Sequence, residues 1–263
     1  MRRRFPQFTV PEHHVGVFEP NAAFLLPERV VAANAELALK AGATLNGHEP
    51  AEGWSADSRG VKVKTHRGEY SAARLIICGG AWSSSILSDL GVKLVVTRQV
   101  LGWVQPRRPN LFALGTMPVW AIENPDATEH YGFPMLPASI SARPGFKIAH
   151  HFKGTPTTPQ TVKRLPQPED ENDFRPTLQR FIPDAGGPLL SMAVCMYTNS
   201  PDSHFIIDHH PAHPNVTIAC GFSGHGFKFS SVVGEVLADL AMSGRTKHPI
   251  GFLGLSRFHG SRA

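Results

Sequence analysis

The chain has 263 residues, of which 41% are hydrophobic and 18% charged, and its formal net charge is +5. This composition excludes an intrinsically disordered chain, and the lack of any apolar run of about 18 residues predicts no membrane-spanning helix. The positive charge is modest and scattered, which favours an anionic small molecule over a nucleic acid as partner. Three cysteines without a CxxC pair and no signal-peptide pattern favour a reducing, cytoplasmic location.

The first quarter of the chain predicts a helix followed by a β-hairpin. Residues 27–41 carry apolar side chains at helical spacing, with a proline suited to the first turn and Gly42 suited to the end. Short strands are predicted at residues 61–65 and 69–70, joined by a tight turn at Arg67-Gly68.

The next stretch has the pattern of a buried strand that leads into a helix. Residues 74–78 are mostly apolar, Gly79-Gly80 follow, and serines then open a helix. Such a unit brings the backbone close to a nucleotide in α/β folds. Glycine pairs also follow buried strands for packing reasons alone, so both interpretations stand at this point.

The composition changes between residues 93 and 197, where prolines are frequent and helices are scarce. This pattern predicts an antiparallel sheet rather than continued βαβ alternation. A single helix is expected at residues 168–181. The predicted strands of this part lie at residues 95–105, 119–122, 131–133 and 146–152.

After Cys195 the pattern of the first half returns. Strands are predicted at residues 205–208 and 216–220, followed by a glycine-rich turn at 221–226 and a helix at 227–242 that Gly244 ends. The strand–glycine–helix unit therefore occurs twice and flanks a β-rich insertion. This order predicts a nucleotide or cofactor domain that is split by a substrate domain.

A group of histidines near the C-terminus raises the question of a zinc site. Their spacing fits neither a helical pair nor a finger, and residues 209–211 favour a polar turn after a buried strand. The sequence therefore predicts no metal site. The histidines are His204, His209, His210 and His213.

Three further side chains leave alternatives open. Lys147 and Lys228 stand among glycine and aromatic neighbours, where a lysine either extends to solvent or is held inward for a charge role. Cys195 lies in a strand-like run, and a single cysteine in a strand is usually a small buried hydrophobe.

Three runs of sequence closely resemble the monomeric sarcosine oxidase / N-methyltryptophan oxidase family, which comprises FAD-dependent amine oxidases of the D-amino-acid-oxidase-like superfamily. They are Cys-Met-Tyr-Thr at 195–198, His-Phe-Ile-Ile-Asp at 204–208 and Gly-Phe-Ser-Gly-His-Gly-Phe-Lys at 221–228. The similarity covers essentially the whole chain in order. Supporting matches lie at residues 18–21, 76–82, 98–100 and 131–134.

The resemblance implies an α/β (α+β) fold in which a partial FAD-binding, Rossmann-like domain receives a mostly antiparallel substrate domain. The FAD-binding domain would comprise residues 30–95 and 201–263, and the substrate domain residues 96–200. Residues 1–29 would be a remnant of a substrate-domain segment and a linker.

The resemblance also implies roles for individual residues. Cys195 would form the covalent thioether to FAD, which replaces the interpretation as a buried hydrophobe. Lys147 would lie beside the flavin ring and stabilise superoxide, and Lys228 would pair with the substrate carboxylate. Tyr131 and His151 would line the substrate cavity, with Tyr197 close by. Further cofactor contacts would be Gly80, Ala81, Trp82, Met196, Gly224, His225, Gly226, Phe227 and Lys228.

The implied activity is oxidation of a secondary, N-methyl amino acid to an imine, with O₂ reduced to hydrogen peroxide. The chemistry resides in the cofactor, while the protein supplies orientation and charge. The expected partners are therefore a small N-methyl amino acid and O₂, with neither nucleic acid nor membrane, and the expected state is a monomer. Residues 135–144 depart from the family pattern, and we expect them to change the size of the cavity.

The chain also departs from the family at its beginning. The dinucleotide fingerprint G-x-G-x-x-G, which opens the family's first βαβ unit, is absent from the sequence. An N-terminally truncated chain of this kind is expected to hold FAD poorly and to leave a strand edge of the cofactor sheet exposed. The alternative prediction is an inactive fragment, or an interaction module that pairs with a separate Rossmann half through that edge.

Overall fold

The computed structural model describes residues 3–151 and 154–258. The chain divides into two compact units. Unit 1 comprises Met1–Phe24 and Thr97–Tyr197, and unit 2 comprises Leu25–Val96 and Thr198–Ala263. The sequence-based boundaries lie at residues 29–30, 95–96 and 200–201, and the assignment of a cofactor or substrate role to either unit stays a prediction.

Mixed α and β structure with antiparallel sheets confirms the predicted fold class. The helices of the described residues are α1 (Pro27–Lys40), α2 (Ser83–Ile86), α3 (Arg175–Phe181) and α4 (Ser230–Ser243). The strands are β1 (Ala51–Asp57), β2 (Gly60–Thr65), β3 (Gly68–Ala72), β4 (Leu75–Ile77), β5 (Val95–Val104), β6 (Trp120–Glu123), β7 (Glu129–Phe133), β8 (Phe146–His151), β9 (Thr155–Thr157), β10 (Leu189–Asn199), β11 (Ile206–His210) and β12 (His213–Cys220).

Unit 1 is built on a six-stranded sheet with the order β10-β5-β8-β7-β6, and β9 pairs with β5. The pairs β5–β8, β8–β7 and β7–β6 are antiparallel, as the sequence predicted. Phe152, which the sequence placed at the end of β8, lies outside the described residues. One face of the sheet packs into an aromatic core that includes Phe146, Phe174 and Leu178.

This core leaves no room for a side chain at Gly132 in β7. A Cβ atom there would lie 2.1 Å from the backbone oxygen of Lys147 on β8 and 2.6 Å from the ring of Trp120. Such distances are far below van der Waals contact, so the close packing of β7 and β8 depends on this glycine.

The helix predicted at residues 168–181 is interrupted, and this expectation was wrong. Pro168–Asp173 forms a 3₁₀ helix and α3 begins only at Arg175, with Phe174 between them at φ −108° and ψ −14°. Pro176 explains the break because it has no N–H to donate and its ring clashes with the carbonyl four residues earlier in a continuous helix, whereas it is tolerated in the first turn of α3.

Unit 2 contains two three-stranded sheets, β1-β2-β3 and β11-β12-β4. Strand β1 was not predicted, because its glutamate, glycine and aspartate lack the alternation of a half-buried strand. The hairpin turn was misplaced by one residue: Thr65 pairs with Gly68, so the turn consists of His66 and Arg67. Gly68, at φ +148°, is the first residue of β3.

Both predicted strand–glycine–helix units are present in unit 2. Strand β4 leads through Gly79-Gly80 into the 3₁₀ helix Gly80–Trp82 and α2, and β12 leads through residues 221–226 into α4. Since β4 and β12 are parallel neighbours, both turns follow the same end of the sheet. Helix α4 ends at Gly244 in the left-handed conformation (φ +70°), as expected.

The two long helices of unit 2 differ in burial. Helix α4 buries Val236, Leu237, Leu240 and Ala241. Helix α1 follows the predicted bounds closely but buries no residue, and Leu37 in α1 is 63% exposed. Among the described residues, β4 pairs only with β12, so the other edge of this short strand carries no partner strand.

The polar turn predicted at residues 209–211 was also misplaced. His209 and His210 are the last residues of β11, and the turn begins at Pro211. His210 is buried against the rings of Trp54 and His213. Separately, no helix in the described part of the chain has both the length and the apolar character needed to cross a membrane.

Candidate functional site

Several side chains that the sequence assigned to the site lie on the face of the unit 1 sheet opposite the aromatic core. In the β7–β8 pair, Tyr131 lies opposite Ala149 and Glu129 lies opposite His151. Because alternate residues of a strand share a face, Tyr131, Lys147 and His151 all project to the same side. The Tyr131 and His151 rings meet edge to face with centroids 5.8 Å apart.

Tyr197 of β10 completes this cluster. Its hydroxyl lies 3.2 Å from Nδ1 of His151, and Tyr131 is close enough to influence its ionisation. Burial raises the pKa of Tyr131, and burial together with the neighbouring Tyr131 raises the pKa of Tyr197. Both phenols therefore stay neutral near pH 7 and can donate hydrogen bonds to a ligand.

Lys147 occupies an aromatic environment on the same face. Its Nζ atom lies 4.7 Å from the ring centroid of Phe133 and 5.6 Å from that of Trp103. These distances are within the range of cation–π attraction, so the half-buried ammonium is held over two rings. The structure places this lysine beside aromatic rings, and its charge role stays a prediction.

Cys195 of β10 is exposed, so the interpretation based on its strand alone, a small buried hydrophobe, was wrong. The other two cysteines belong to unit 2. Burial raises the pKa of Cys220 to about 12, and it also raises the pKa of the Cys78 thiol although that residue is partly solvent-accessible. Met196, the neighbour of Cys195, is half-buried.

The remaining predicted site residues lie in the glycine turns of unit 2. Gly80 has φ +52° and Gly224 has φ +80°, while between Gly221 and Gly224 the non-glycine Ser223 also has a positive φ of 48°. The hydroxyl of Ser223 donates to the backbone oxygen of Gly221 at 3.0 Å, and this bond helps to hold the turn. Beside Gly80, Ala81 is buried and Trp82 is 46% exposed.

The turn after β12 also fixes an imidazole and presents a lysine. His225 stacks on Phe205 at 4.8 Å, and its Nε2 lies 3.0 Å from the backbone oxygen of Ser203, which can only accept a hydrogen bond. Gly226 admits no side chain, since a Cβ there would lie 2.5 Å from the ring of Phe222. Phe227 and Lys228 are exposed at the start of the helical segment.

Lys228 borders an apolar groove of about 340 Å³ within unit 2. A larger cavity of about 710 Å³ lies elsewhere in unit 2, beside Arg74, Asp208 and His209, and contains no residue that the sequence assigned to the site. Besides Lys228, the groove is lined mainly by Phe205, His225, Phe229, Val236 and Phe252.

These residues fit an FAD group in two respects. Covalent attachment requires an accessible thiol, and Cys195 is exposed. Close approach of a cofactor to the backbone requires a position without a side chain, and nothing lies within 4 Å of where a Cβ of Gly80 would be. The structure therefore assembles two sets of site residues, one within unit 1 and one within unit 2.

The sequence missed a third group of side chains, on the opposite face of the unit 1 sheet. It consists of His130, His150 and Asp173. His130 and His150 immediately precede Tyr131 and His151, so strand alternation alone places them on the other face. Strand alternation was the sequence signal for the two histidines, but Asp173 is too distant in sequence for that signal to associate it with them.

The fold is similar to those of a solved amino acid dehydrogenase and a solved amino acid oxidase. L-proline dehydrogenase from P. horikoshii aligns with a TM-score of 0.74 at 21% identity, covering 98% of this chain and 66% of that chain. NikD, described as an unusual amino acid oxidase, aligns with a TM-score of 0.71 at 22% identity, covering 86% of this chain and 59% of its own.

The FAD dependent oxidoreductase (DAO) family model matches residues 1–240, and the chain belongs to this family. Monomeric sarcosine oxidase from Streptomyces avermitilis is 43% identical over 95% of this chain and 65% of that protein. N-methyl-L-tryptophan oxidase from Escherichia coli O6:H1 is 34% identical over 97% of this chain and 66% of that protein. The resemblance seen in the sequence motifs is thereby confirmed, and the chain spans about 65% of the length of these relatives.

Proposed function

We propose that this chain provides the substrate unit and part of the cofactor unit of an FAD-dependent oxidase. The enzyme would oxidise a secondary, N-methyl amino acid to an imine and reduce O₂ to hydrogen peroxide. Membership of the oxidoreductase family and similarity to sarcosine and N-methyltryptophan oxidases support this proposal. The observation that carries it is the cluster of Tyr131, His151 and Tyr197 on the sheet face that also bears Lys147.

Two groups of residues would hold the cofactor. The exposed thiol of Cys195 would form the covalent bond, with Met196 beside it. When bound, the flavin supplies the hydride acceptor and the route by which electrons reach O₂. The other contacts would come from the glycine turns of unit 2, namely Gly80, Ala81, Trp82, Gly224, His225, Gly226, Phe227 and Lys228.

The two lysines would supply fixed positive charge. Lys147, held over Phe133 and Trp103, would stabilise the anionic species formed as O₂ is reduced, because a preorganised cation in apolar surroundings is weakly screened. Lys228 would bind the substrate carboxylate, and the apolar groove beside it offers space for carbon atoms. Both roles need a charge that is oriented before the reaction begins.

The tyrosines would orient the substrate. Because the pKa of each phenol is raised, both remain protonated and each can donate one hydrogen bond. His151, at 3.2 Å from the Tyr197 hydroxyl, fixes the direction of that group. The rings of Tyr131, His151 and Tyr197 meet edge to face and would form an aromatic surface suited to contact with an N-methyl group.

The test combines flavin content with substrate turnover. When the part of a relative that the chain does not match is supplied, we expect peroxide formation with at least one of sarcosine, N-methyltryptophan and pipecolate, and flavin colour that remains with the protein after acid precipitation. The chain alone is expected to hold FAD poorly. Since the chain spans about 65% of its relatives, the assay is run on the chain alone and on the chain joined to the part of a relative that it does not match.

Two cysteine variants distinguish covalent attachment of the flavin from its non-covalent binding. Cys195→Ser should release the flavin on precipitation, whereas Cys78→Ser should retain it. Loss of peroxide formation in Lys147→Met, with flavin content unchanged, would support the role in O₂ reduction. Absence of turnover with the whole substrate panel in both forms of the chain would refute the proposed activity.

A second candidate function is an interaction module. The exposed apolar residues of α1 and the edge of β4 that lacks a partner strand favour it. The chain would then associate with a separately expressed polypeptide comprising the unmatched part of a relative. Sedimentation of the mixture as a 1:1 complex would support this candidate, and independent sedimentation of the two components would exclude it.

A further inference from the structure

The reverse face of the unit 1 sheet holds two histidines and one aspartate that converge on a single point. We call His130, His150 and Asp173 the reverse-face cluster; their potential ligand atoms all lie within 4.8 Å of one another. His130 and His150 lie directly opposite each other in the β7–β8 pair, at 3% and 5% exposure. Asp173 ends the 3₁₀ helix before α3, and its side chain is 35% exposed.

This set of donors is one that divalent transition metals favour. Imidazole nitrogens and a carboxylate oxygen are ligands of zinc and of neighbouring first-row ions, and three protein ligands leave a position for water. Nδ1 of His150 already lies 3.0 and 3.1 Å from the two carboxylate oxygens of Asp173. We propose that the reverse-face cluster binds one divalent ion of the zinc type, with its open position on the solvent side of Asp173.

Both ring nitrogens of His130 lie beside polar groups that determine which of them carries the proton. A ligating imidazole usually donates its second ring N–H to a neighbouring acceptor, which fixes the tautomer. Nδ1 of His130 lies 3.0 Å from the hydroxyl of Thr177 and 2.8 Å from the side-chain amide of Asn124. Nε2 of His130 lies 3.2 Å from the backbone oxygen of Asp173, which can only accept a hydrogen bond. In the structure Nε2 therefore carries the ring proton, and Nδ1 accepts from the Asn124 amide. An ion at Nε2 would replace the contact with Asp173, move the ring proton to Nδ1 and require the Asn124 amide to turn its oxygen towards that nitrogen.

Binding of an ion by both histidines would require their rings to separate. They stack with centroids 4.0 Å apart and planes 24° apart, and an ion must lie close to the plane of each ring that ligates it. The His150 ring therefore has to tilt away from His130. Its Nε2 is buried without a hydrogen-bond partner, so this tilt breaks no hydrogen bond at that atom.

An ion at this point would join β7 and β8 to the segment that leads into α3. It would lie on the face opposite Tyr131 and His151, so it would act on the stability of unit 1 and take no part in the proposed oxidation. The inference is therefore independent of the proposed function. It also differs from the zinc question that the C-terminal histidines raised, because His204 is exposed and none of those four residues belongs to the cluster.

The test is titration of the untagged, chelator-stripped chain with Co²⁺ and Zn²⁺. We expect one site per chain, a visible Co²⁺ ligand-field band, and displacement of Co²⁺ by Zn²⁺. The melting temperature should rise by roughly 5–10 °C when the free metal is a hundredfold above its Kd. Asp173→Asn and His150→Gln should each weaken binding by at least about tenfold, while the control variant His204→Gln should bind as the parent does.

Two results would overturn the proposal. One is the absence of saturable binding in a chain that circular dichroism shows to be folded. The other is equal affinity in the parent and Asp173→Asn, whose side chain is near the surface and nearly unchanged in volume. If His150→Gln does not fold, the affinity of Asp173→Asn alone decides whether the reverse-face cluster binds the metal. Loss of binding in His204→Gln instead would assign the metal to the C-terminal histidines and refute the reverse-face cluster.

Discussion

The two units hold their predicted site residues in different ways. In unit 1, Tyr131, Lys147 and His151 stand on a sheet whose other face is filled by Phe146, Phe174 and further aromatic side chains. In unit 2, the corresponding residues stand in glycine turns that are shaped by positive φ angles, beside a strand of three residues. Side-chain packing therefore positions the first set, and backbone conformation positions the second.

The largest expected effect is in unit 1, at the ion pair of Arg98 and Asp170. Both guanidinium nitrogens lie 2.7 Å from carboxylate oxygens, and the side chains are 14% and 15% exposed. Asp170→Ala removes the carboxylate partner of Arg98 and should lower the free energy of unfolding by about 3 kcal/mol, the lower limit for one-sided removal of a buried pair, because this pair is only partly buried. Urea denaturation measures this change.

The same pair predicts a dependence on pH. Hydrogen bonding to Arg98 lowers the pKa of Asp170 below its ordinary value of 3.8. The stabilisation is therefore complete above about pH 4 and is lost as the pH falls towards the lowered value. Asp170→Asn should show a smaller loss of stability between pH 5 and pH 2, values chosen to bracket the ordinary carboxyl pKa. An identical acid profile in the two proteins would contradict this assignment.

The next effect compares the two long helices of unit 2. Leu240 in α4 is 6% exposed and Leu37 in α1 is 63% exposed. Leu240→Ala should lower the free energy of unfolding by about 3 kcal/mol because it leaves a cavity. Leu37→Ala should change it by less than about 0.5 kcal/mol. A loss of several kcal/mol in Leu37→Ala would show that α1 is packed against something in solution.

A pair of glycine substitutions compares a closely packed strand position in unit 1 with an open helix position in unit 2. Gly132→Ala would force a Cβ against the backbone of β8 and should destabilise by about 2 kcal/mol. Gly234→Ala in α4 meets nothing within 4 Å and should stabilise by about 0.5–1 kcal/mol, because alanine favours a helix interior. Thermal unfolding of the two variants should give shifts of opposite sign; shifts of the same sign would remove the contrast between the units.

The smallest effect is spectroscopic and uses the tyrosines. The chain has three, and the pKa of each is raised: by burial for Tyr131 and Tyr197, and by a hydrogen bond to Glu49 for the exposed Tyr70. Absorbance titration should therefore show little tyrosinate at pH 10, the ordinary pKa. Tyr70→Phe should remove the group that is open to solvent. A tyrosinate signal near half of its full value at pH 10 in that variant, as for two ordinary phenols, would contradict the burial of the other two.

The raised tyrosine pKa values also bear on stability in alkali. A group whose pKa is higher in the folded state than in the unfolded state stabilises the fold below its unfolded pKa of about 10. This contribution falls as the pH rises above that value. The protein should therefore lose stability above pH 10, and Tyr197→Phe should reduce the steepness of the loss.

Local sequence signals predicted most of the elements. Pro27 and Gly42 bracket α1, and Gly244 ends α4, because the conformational limits of proline and glycine act within one turn of the helix. Strand β1 escaped prediction because its residues show neither alternation nor strong strand preference. The interruption at Phe174 was readable from Pro176, but the acidic start of the segment suggested one continuous helix.

The candidate site could be predicted only in part from such local sequence signals. Motif similarity selected Tyr131, Lys147, His151, Cys195 and Tyr197. The contact of His151 with Tyr197, which are 46 residues apart in sequence, depends on β8 and β10 lying on either side of β5. The exposure of Cys195 likewise contradicts what a strand cysteine suggests, since burial is set by neighbouring strands and not by the residue itself.

The sequence by itself determined the family, the alternation of glycine turns with strands and helices, and the positive charges at Lys147 and Lys228. These depend on residue type and short-range geometry. Only the tertiary structure decided which faces are buried: it left α1 exposed, held Lys147 over two aromatic rings and brought His130 and His150 together with Asp173. Burial and convergence depend on contacts between residues far apart in the chain, and no local pattern encodes those distances.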